Sequence, residues 1–260
     1  MDESSEQVLF SGLDFVWSAL SDKGQDREEN EDAYVVEPEI GLFVVSDGMG
    51  GHRGGALASE IVTGDLPVRI ETRLHNLGSV NVRSIRRIIK SSVIDQSKEL
   101  YSEGLSESGY KDMGATVAMV MLYGGRAYIC NLGDSRIFRF RSGRLVQLSR
   151  DHSVVSELVS QGKLEDDEIH DHESAGQITH YVGMEEKAVA HTRSFKLKKC
   201  DRFLLCTDGL TDVVDNRGIL EILRNFDAPD AACGELVSLA NKSGGPDNIT
   251  AVVVDWMKNQ

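Results

Sequence analysis

Cysteine is scarce in this chain and never paired as C-x-x-C. Its four cysteines, Cys130, Cys200, Cys206 and Cys233, stand far apart, which excludes a disulfide framework and a thiolate zinc site. Cys130 and Cys206 fall inside apolar runs, so the set reads as small core residues in a reducing compartment. No apolar run approaches the roughly 20 residues that span a bilayer. The first residues, Met1-Asp2-Glu3-Ser4-Ser5-Glu6, are acidic and lack the basic and apolar regions of a signal peptide. A cytoplasmic protein without membrane contact is expected. Positive charge is also short: 28 Lys and Arg against 42 Asp and Glu leave a net charge of −14. That balance excludes general nucleic-acid binding, because little of the surface offsets phosphate repulsion. G-x-S-x-G, a P-loop and a strand-following G-x-G-x-x-G are all missing. No repeat or low-complexity linker divides the 260 residues. The organisation expected is a polar lead-in over 1–12 and one domain over 13–260.

What the chain does have is carboxylates at the ends of short apolar runs. Phe43-Val44-Val45-Ser46 leads into Asp47-Gly48, Tyr128 to Leu132 into Gly133-Asp134, and Phe203 to Thr207 into Asp208-Gly209. Asp247 instead precedes its run, Ile249 to Val254. Runs of this length and composition read as buried strands. Carboxylates at their ends then meet at the rim of a packed core, where they repel each other unless a cation neutralises them. Hard oxygen ligands of this kind suit magnesium or manganese.

Strands are expected at Phe15 to Leu20, Ala33 to Val36 and Leu42 to Ser46, with a helix from Ala56 that weakens near Pro67. A second helix is expected from Val82 to Glu103, where Ile85, Ile88, Ile89, Val93 and Leu100 recur at helical spacing. Strands at 116–123, 126–131, 137–141 and 145–148, joined by Gly124-Gly125 and Ser142-Gly143, read as one antiparallel meander. A short helix at 153–160 follows. Residues 162–180 are polar, acidic and rich in histidine, and read as a mobile surface flap; His170, His172 and His180 in it read as solvated. A strand at 188–197 is expected to pair with 202–206, before two helices and a last strand from Ile249 to Trp256.

Singly, several motifs have two readings. Asp47-Gly48 and Asp208-Gly209 could each be a plain turn. Arg27-Glu28-Glu29-Asn30-Glu31-Asp32 could be a solvated charged loop, or an arginine that forks onto an anion beside acids that hold water. In Gly133-Asp134-Ser135-Arg136, Asp134 could pair with Arg136 or serve as a metal ligand. His152 could cap the next helix or join a hydrogen-bonded turn. Their joint occurrence beside so many glycines favours the functional reading of the carboxylates.

Together these residues resemble the metal-dependent serine/threonine protein phosphatases of the 2C type, most closely the bacterial branch. The likeness runs from about Ser18 to Val254, with landmarks in the family's order. They are Arg27 with Asn30-Glu31-Asp32, Val45 to His52, Gly114-Ala115-Thr116, Gly133 to Arg136, Asp151-His152-Ser153, Cys206 to Leu210, and Gly245 to Thr250. The resemblance implies an α+β fold, a four-layer α-β-β-α sandwich with two central antiparallel sheets, holding two Mn²⁺ or Mg²⁺ ions at one end. By similarity, Asp47 bridges the ions, the Gly48 carbonyl binds one of them, and Asp208 and Asp247 complete the other. Glu31 and Asp32 act near the first ion, directly or through water. Arg27 holds the substrate phosphate, and Asp134 helps to bind a third, looser ion.

The implied reaction is hydrolysis of phosphoserine and phosphothreonine in proteins, by attack of a metal-bridging hydroxide with Arg27 and Asp47 as catalytic residues. Phosphorylated proteins are the implied substrates, a Ser/Thr kinase the implied signalling partner, and a monomer the expected state. Met49 stands where eukaryotic relatives carry a histidine proposed as the acid, which leaves a metal-bound water or His52 to protonate the leaving oxygen. The alternative is a catalytically silent phosphoprotein-binding module of the same fold. A further alternative is a phosphodiesterase or small-molecule phosphatase.

Overall fold

In strand β3 (Leu42–Met49) every residue from Leu42 to Ser46 is buried. Leu42 and Val44 point into one apolar layer, while Phe43 and Val45 point into another. A strand buried on both faces needs cover on both, and the rest of the chain supplies it. The computed structural model of the protein describes residues 14–50, 54–106, 110, 112–165, 168 and 172–257. The lead-in at 1–12, His52 and His170 lie outside the described residues.

Two antiparallel sheets form the centre. One has the order β1 (Phe15–Asp22), β11 (Ile249–Trp256), β10 (Arg202–Cys206), β7 (Arg136–Arg141), β8 (Arg144–Gln147). The other has the order β2 (Asp32–Glu37), β3, β5 (Val117–Tyr123), β6 (Arg126–Leu132), β9 (His191–Lys196), with the short β4 (Gly114–Ala115) beside β3. Phe43, Val45, Ile129, Ile137, Phe203, Val252 and Val254 fill the space between the sheets.

Helices α1 (Gly54–His75) and α2 (Val82–Ser106) cover the outer face of the second sheet. In α1, Ala58, Val62, Leu66 and Ile70 lie four residues apart and form one buried stripe. Helices α5 (Asn216–Asn225) and α6 (Pro229–Lys242) cover the first sheet through Ile219, Leu223, Leu236 and Ala240. The result is the expected α-β-β-α sandwich. Two further helices lie at one end: α3 (Val154–Ser160), capped by Ser153, and the one-turn α4 (Asp208–Thr211).

The structure corrects several expectations. Residues 116–148 are not one meander: β5 and β6 form a hairpin in one sheet, and β7 and β8 a hairpin in the other. The chain changes sheets at Gly133, whose φ of +108° suits glycine, and a Cβ there would lie 2.6 Å from Thr116. Strand β9 pairs with β6, not with β10, which lies between β7 and β11. Helix α1 runs on through Pro67, because Leu66 and Ile70 on either side are buried against the sheet and outweigh one missing hydrogen bond. Cys200 is exposed rather than in the core, although all four cysteines are free.

Phe43 is fully buried, with Phe15 edge-on at 5.4 Å. Phe43→Ala should lower the unfolding free energy by about 3–5 kcal/mol. In urea the midpoint should fall while the slope of the transition stays the same.

Candidate metal centre

The carboxylates singled out in the sequence come from both sheets and meet at one end of the sandwich. Asp32 opens β2 and lies directly opposite Asp47 of β3. Like charges facing across strands are unfavourable, so the pairing needs a local reason. Part of it is a frame of hydroxyl groups. Asp32 Oδ2 accepts from Thr207 Oγ1 at 2.8 Å and from Thr250 Oγ1 at 2.7 Å. Both threonines belong to the opposite sheet's end, where Thr250 N donates to Thr207 Oγ1 at 3.0 Å. The Asp47 amide donates to Thr116 Oγ1 at 2.9 Å, and that hydroxyl shares a 2.6 Å hydrogen bond with Ser135. Asp32 is thus positioned by side chains at the end of the other sheet, and Asp47 is held through its amide by Thr116.

Asp208 is the first residue of α4, separated from the end of β10 by Thr207 alone. Its carboxyl group comes within hydrogen-bonding reach of Asp47. Burial pushes Asp47 well above the ordinary carboxylate range, and Asp208, Asp32 and Asp134 push it further. Asp134 rises for the same reasons, burial first and then Asp208. Asp32 is pushed up to about 7 by burial, against its two threonine hydrogen bonds and with help from Asp208 and Asp247. The nearby arginines do little to relieve this. Arg136 is occupied by Asp151 at 2.8 Å, and Arg27 pairs with Asp247 at 2.7 Å on the open side.

Glu31 stands beside this group. Its carboxylate accepts from the Ala56 amide in the first turn of α1, and burial raises its pKa. Gly48 is wedged beneath it: its amide donates to the Glu31 carbonyl at 3.1 Å, and a Cβ would lie 2.0 Å from the Gly55 carbonyl oxygen. Only glycine fits that approach. Asn248 closes the far side, accepting from the Glu31 amide at 2.8 Å and donating to the carbonyls of Lys23 and Glu29.

The donor set fits a hard divalent cation. Oδ1 of Asp32, of Asp134 and of Asp208 is each buried without a hydrogen-bond donor. Orphaned buried carboxylate oxygens are costly, and oxygen-only surroundings select magnesium or manganese over softer metals. As they stand, no three His, Cys, Asp or Glu side chains among the described residues form a closed ligand shell. Asp247, for its part, is engaged by Arg27 on the open side.

Asp134 does not pair with Arg136, the bland reading of its turn. His152 does not cap α3; Ser153 does, and His152 Nδ1 accepts from the Gly133 amide at 3.1 Å. Burial and neighbouring His180 push that imidazole down to about 4, so Nδ1 is a bare acceptor at neutral pH. His180 is half-buried beside His152, ring centres 5.4 Å apart, rather than solvated. The flap is not wholly loose either: Thr179 N donates to His152 O at 2.7 Å and Val154 N to Gln177 O at 2.9 Å. Between flap and carboxylates lies a cleft of about 770 Å³, with Asp134, Arg136, Arg150, Glu157, Asp208 and Asp212 in its walls. The sequence reading assigned no role to Thr207, Thr250, Thr116 or Asp212. Thr116, Thr207 and Thr250 fall within the family landmarks, which offered a signal; Asp212 had none.

Comparison with known proteins bears on this geometry. Residues 23–237 match the family described as Protein phosphatase 2C. The chain is 33% identical to Protein phosphatase PhpP of Streptococcus pneumoniae, over 91% of this chain and 96% of that protein. Among solved structures it is similar to the S. agalactiae serine/threonine phosphatase, with 32% identity, a TM-score of 0.84 and coverage of 94% and 100%. It is also similar to the catalytic domain of the serine/threonine protein phosphatase PstP in complex with two manganese ions, with 27% identity, a TM-score of 0.79 and coverage of 94% and 99%. A sandwich of two sheets with acids gathered at one end defines a metal-dependent hydrolase. The chain belongs to the protein phosphatase 2C family.

The raised carboxyls set the pH dependence of the metal-free protein. A carboxyl with a higher pKa folded than unfolded holds its proton in the native state, so stability is lost as pH rises from the ordinary carboxylate range through about 7, the value for Asp32. The metal-free melting temperature should therefore be several degrees lower at pH 8 than at pH 5. Mn²⁺ should restore it, most strongly at pH 8. Asp208→Asn should raise the metal-free value at pH 8 and lose most of the Mn²⁺ gain, read by scanning calorimetry.

Proposed function

We infer that this chain is a metal-dependent protein phosphatase that hydrolyses phosphoserine and phosphothreonine. The observation that carries the reading is the convergence of Asp32, Asp47, Asp134 and Asp208, three of them with donorless buried oxygens, at the sheet ends of a 2C-type sandwich. Residues 13–260 act as one catalytic domain with the flap at about 162–180; layers contributed from β1 through β11 support that division. The site is dinuclear. We assign Asp47 and the carbonyl of Gly48, with Glu31 and Asp32 beside them, to one Mn²⁺ or Mg²⁺ ion, and Asp47, Asp208 and Asp247 to the other. Asp134 with Asp208 would hold a third.

When bound, such ions supply an activated water and neutralise phosphoryl charge. The chain's own residues do the rest. The Thr207 and Thr250 hydroxyls fix the Asp32 carboxylate, and the Thr116 hydroxyl fixes the Asp47 amide, before substrate arrives, so little reorganisation accompanies reaction. Arg27, half exposed at the mouth, presents planar donors to phosphoryl oxygens. Its pairing with Asp247 keeps it within reach of the site when no phosphate is present. Phosphoryl transfer asks a protein chiefly for this positioning and charge stabilisation. Cys206 takes no part: burial pushes its thiol up to about 12, so it is no nucleophile.

Phosphorylated proteins are the substrates, and a Ser/Thr kinase supplies them. Four free cysteines support a reducing, cytoplasmic setting, and no described helix is long and apolar enough to cross a membrane. A monomer is supported by exposed apolar side chains such as Val68, Tyr123 and Val146, which lie on separate elements. The silent-module reading finds no support in a site that keeps every acid.

With Mn²⁺ present, the protein should release phosphate from phosphothreonine peptides, lose that activity on chelation, and regain it on adding metal. Asp208→Asn should lower kcat at least ~100-fold, as expected for several kcal/mol of transition-state stabilisation; full activity in this variant or after chelation would refute the reading. Arg27→Ala should lower kcat/KM about 10–100-fold for phosphopeptide, with Arg27→Lys recovering only part because it cannot fork.

A further inference from the structure

Although the protein is strongly acidic, one group of arginines gathers at a shared margin of the two sheets. Strand β9 ends one sheet, and β7 with β8 ends the other. Arg193 stands on the edge strand β9, and Arg139 and Arg141 stand on β7, one strand in from the edge, with Arg150 nearby. Phe195 of β9 stacks on Phe203 across the sheets, ring centres 6.2 Å apart, and closes the margin of the core. Arg139, the register partner of Phe203, lies over the Phe195 ring at 5.1 Å, and Arg141 lies at 6.0 Å from the same ring.

Of these arginines only Arg141 is ion-paired at this margin among the described residues. Asp201 accepts from Arg141 through both oxygens and is wholly buried, so its charge is spent there. Neither Arg139 nor Arg193 has a carboxylate hydrogen-bond partner among the described residues, and Arg139 Nε is buried without any acceptor. Burial and then the like charge of Arg141 lower the Arg139 pKa, with Asp201 opposing them and Arg193 adding to them. A guanidinium held over an aromatic ring is already positioned, so an anion meets it at small entropic cost.

We propose that Arg139 and Arg193 form a docking site for a second phosphoryl group on the phosphoprotein substrate. The proposal rests on the phosphatase reading above. A phosphoryl group suits this site because its two negative charges and three acceptor oxygens match two forked cations. Nucleic acid does not suit it, because the patch is confined to one margin of the two sheets on a surface of net charge −14. The distance is also set. Arg193 pairs with Ile129, which lies five residues before Asp134. At about 3.3 Å per residue the docking site is roughly 15 Å from the carboxylate cluster, the span of about five residues of extended peptide.

The test uses the whole protein with Mn²⁺ and peptides carrying one phosphothreonine, plus phosphoserine, Glu or Ala about five residues away on either side. The second phosphate should lower KM about tenfold with kcat unchanged, Glu should give a smaller gain, and Ala none. Arg139→Gln/Arg193→Gln should abolish the preference while leaving p-nitrophenyl phosphate turnover intact; Arg193→Gln alone, an exposed change, should remove about half of the gain on a logarithmic scale. Equal KM for singly and doubly phosphorylated peptides, or a preference that survives both substitutions, would overturn the proposal. So would displacement of the peptide by single-stranded DNA at matched phosphate concentration. Fluorescence anisotropy reads the same binding preference without turnover. Absence of metal-dependent p-nitrophenyl phosphate hydrolysis would instead strike the phosphatase reading.

Discussion

Repulsion among buried carboxylates organises this molecule. Asp32, Asp47, Asp134 and Asp208 are held close together at the end of an apolar sandwich, where Asp208 raises the proton affinity of the other three and Asp32 and Asp134 raise that of Asp47. Folding can impose that arrangement only because the inter-sheet layer and the hydroxyl frame stabilise it from behind. Thr207 and Thr250 hold Asp32, and Thr116 holds Asp47 by its amide. The site therefore stores an unfavourable interaction that a divalent cation relieves, and the fold is what keeps it in place.

The positions of the acids and the layer architecture have different sources. Strand runs such as Phe203–Cys206 are buried on both faces, so their uninterrupted apolar character marks them as strands in the sequence. The acids beside them were legible because Asp47, Asp208 and Asp247 adjoin glycines that close backbone approaches demand. A Cβ on Gly209 would lie 2.0 Å from the Asn248 carbonyl oxygen, and one on Gly24 would lie 2.1 Å from that of Asp247. Those glycines record contacts between segments far apart in the chain.

Other features left no such mark. Hairpin periodicity is the same whichever sheet a hairpin joins, so nothing local told that β6 and β7 belong to different sheets. The pairing of β9 with β6 rests on contacts sixty or more residues apart, such as Asn131 with His191, and local pattern carries no information about it. The role of the hydroxyl frame was also hidden, since a threonine that orients a carboxylate looks like any strand threonine. Arg139 and Arg193 are likewise ordinary strand arginines until the two sheets are stacked.

One feature of the topology reaches further. Asp32 and Asp47 come from one sheet, Asp208 and Asp247 adjoin strands of the other, and Asp134 sits at the crossover between them. The two sheets otherwise meet mainly through greasy side chains, which resist separation far better than they resist sliding. A cation gripped from both sides would lock their relative position, so loading the centre would set the alignment of the halves as well as its own chemistry.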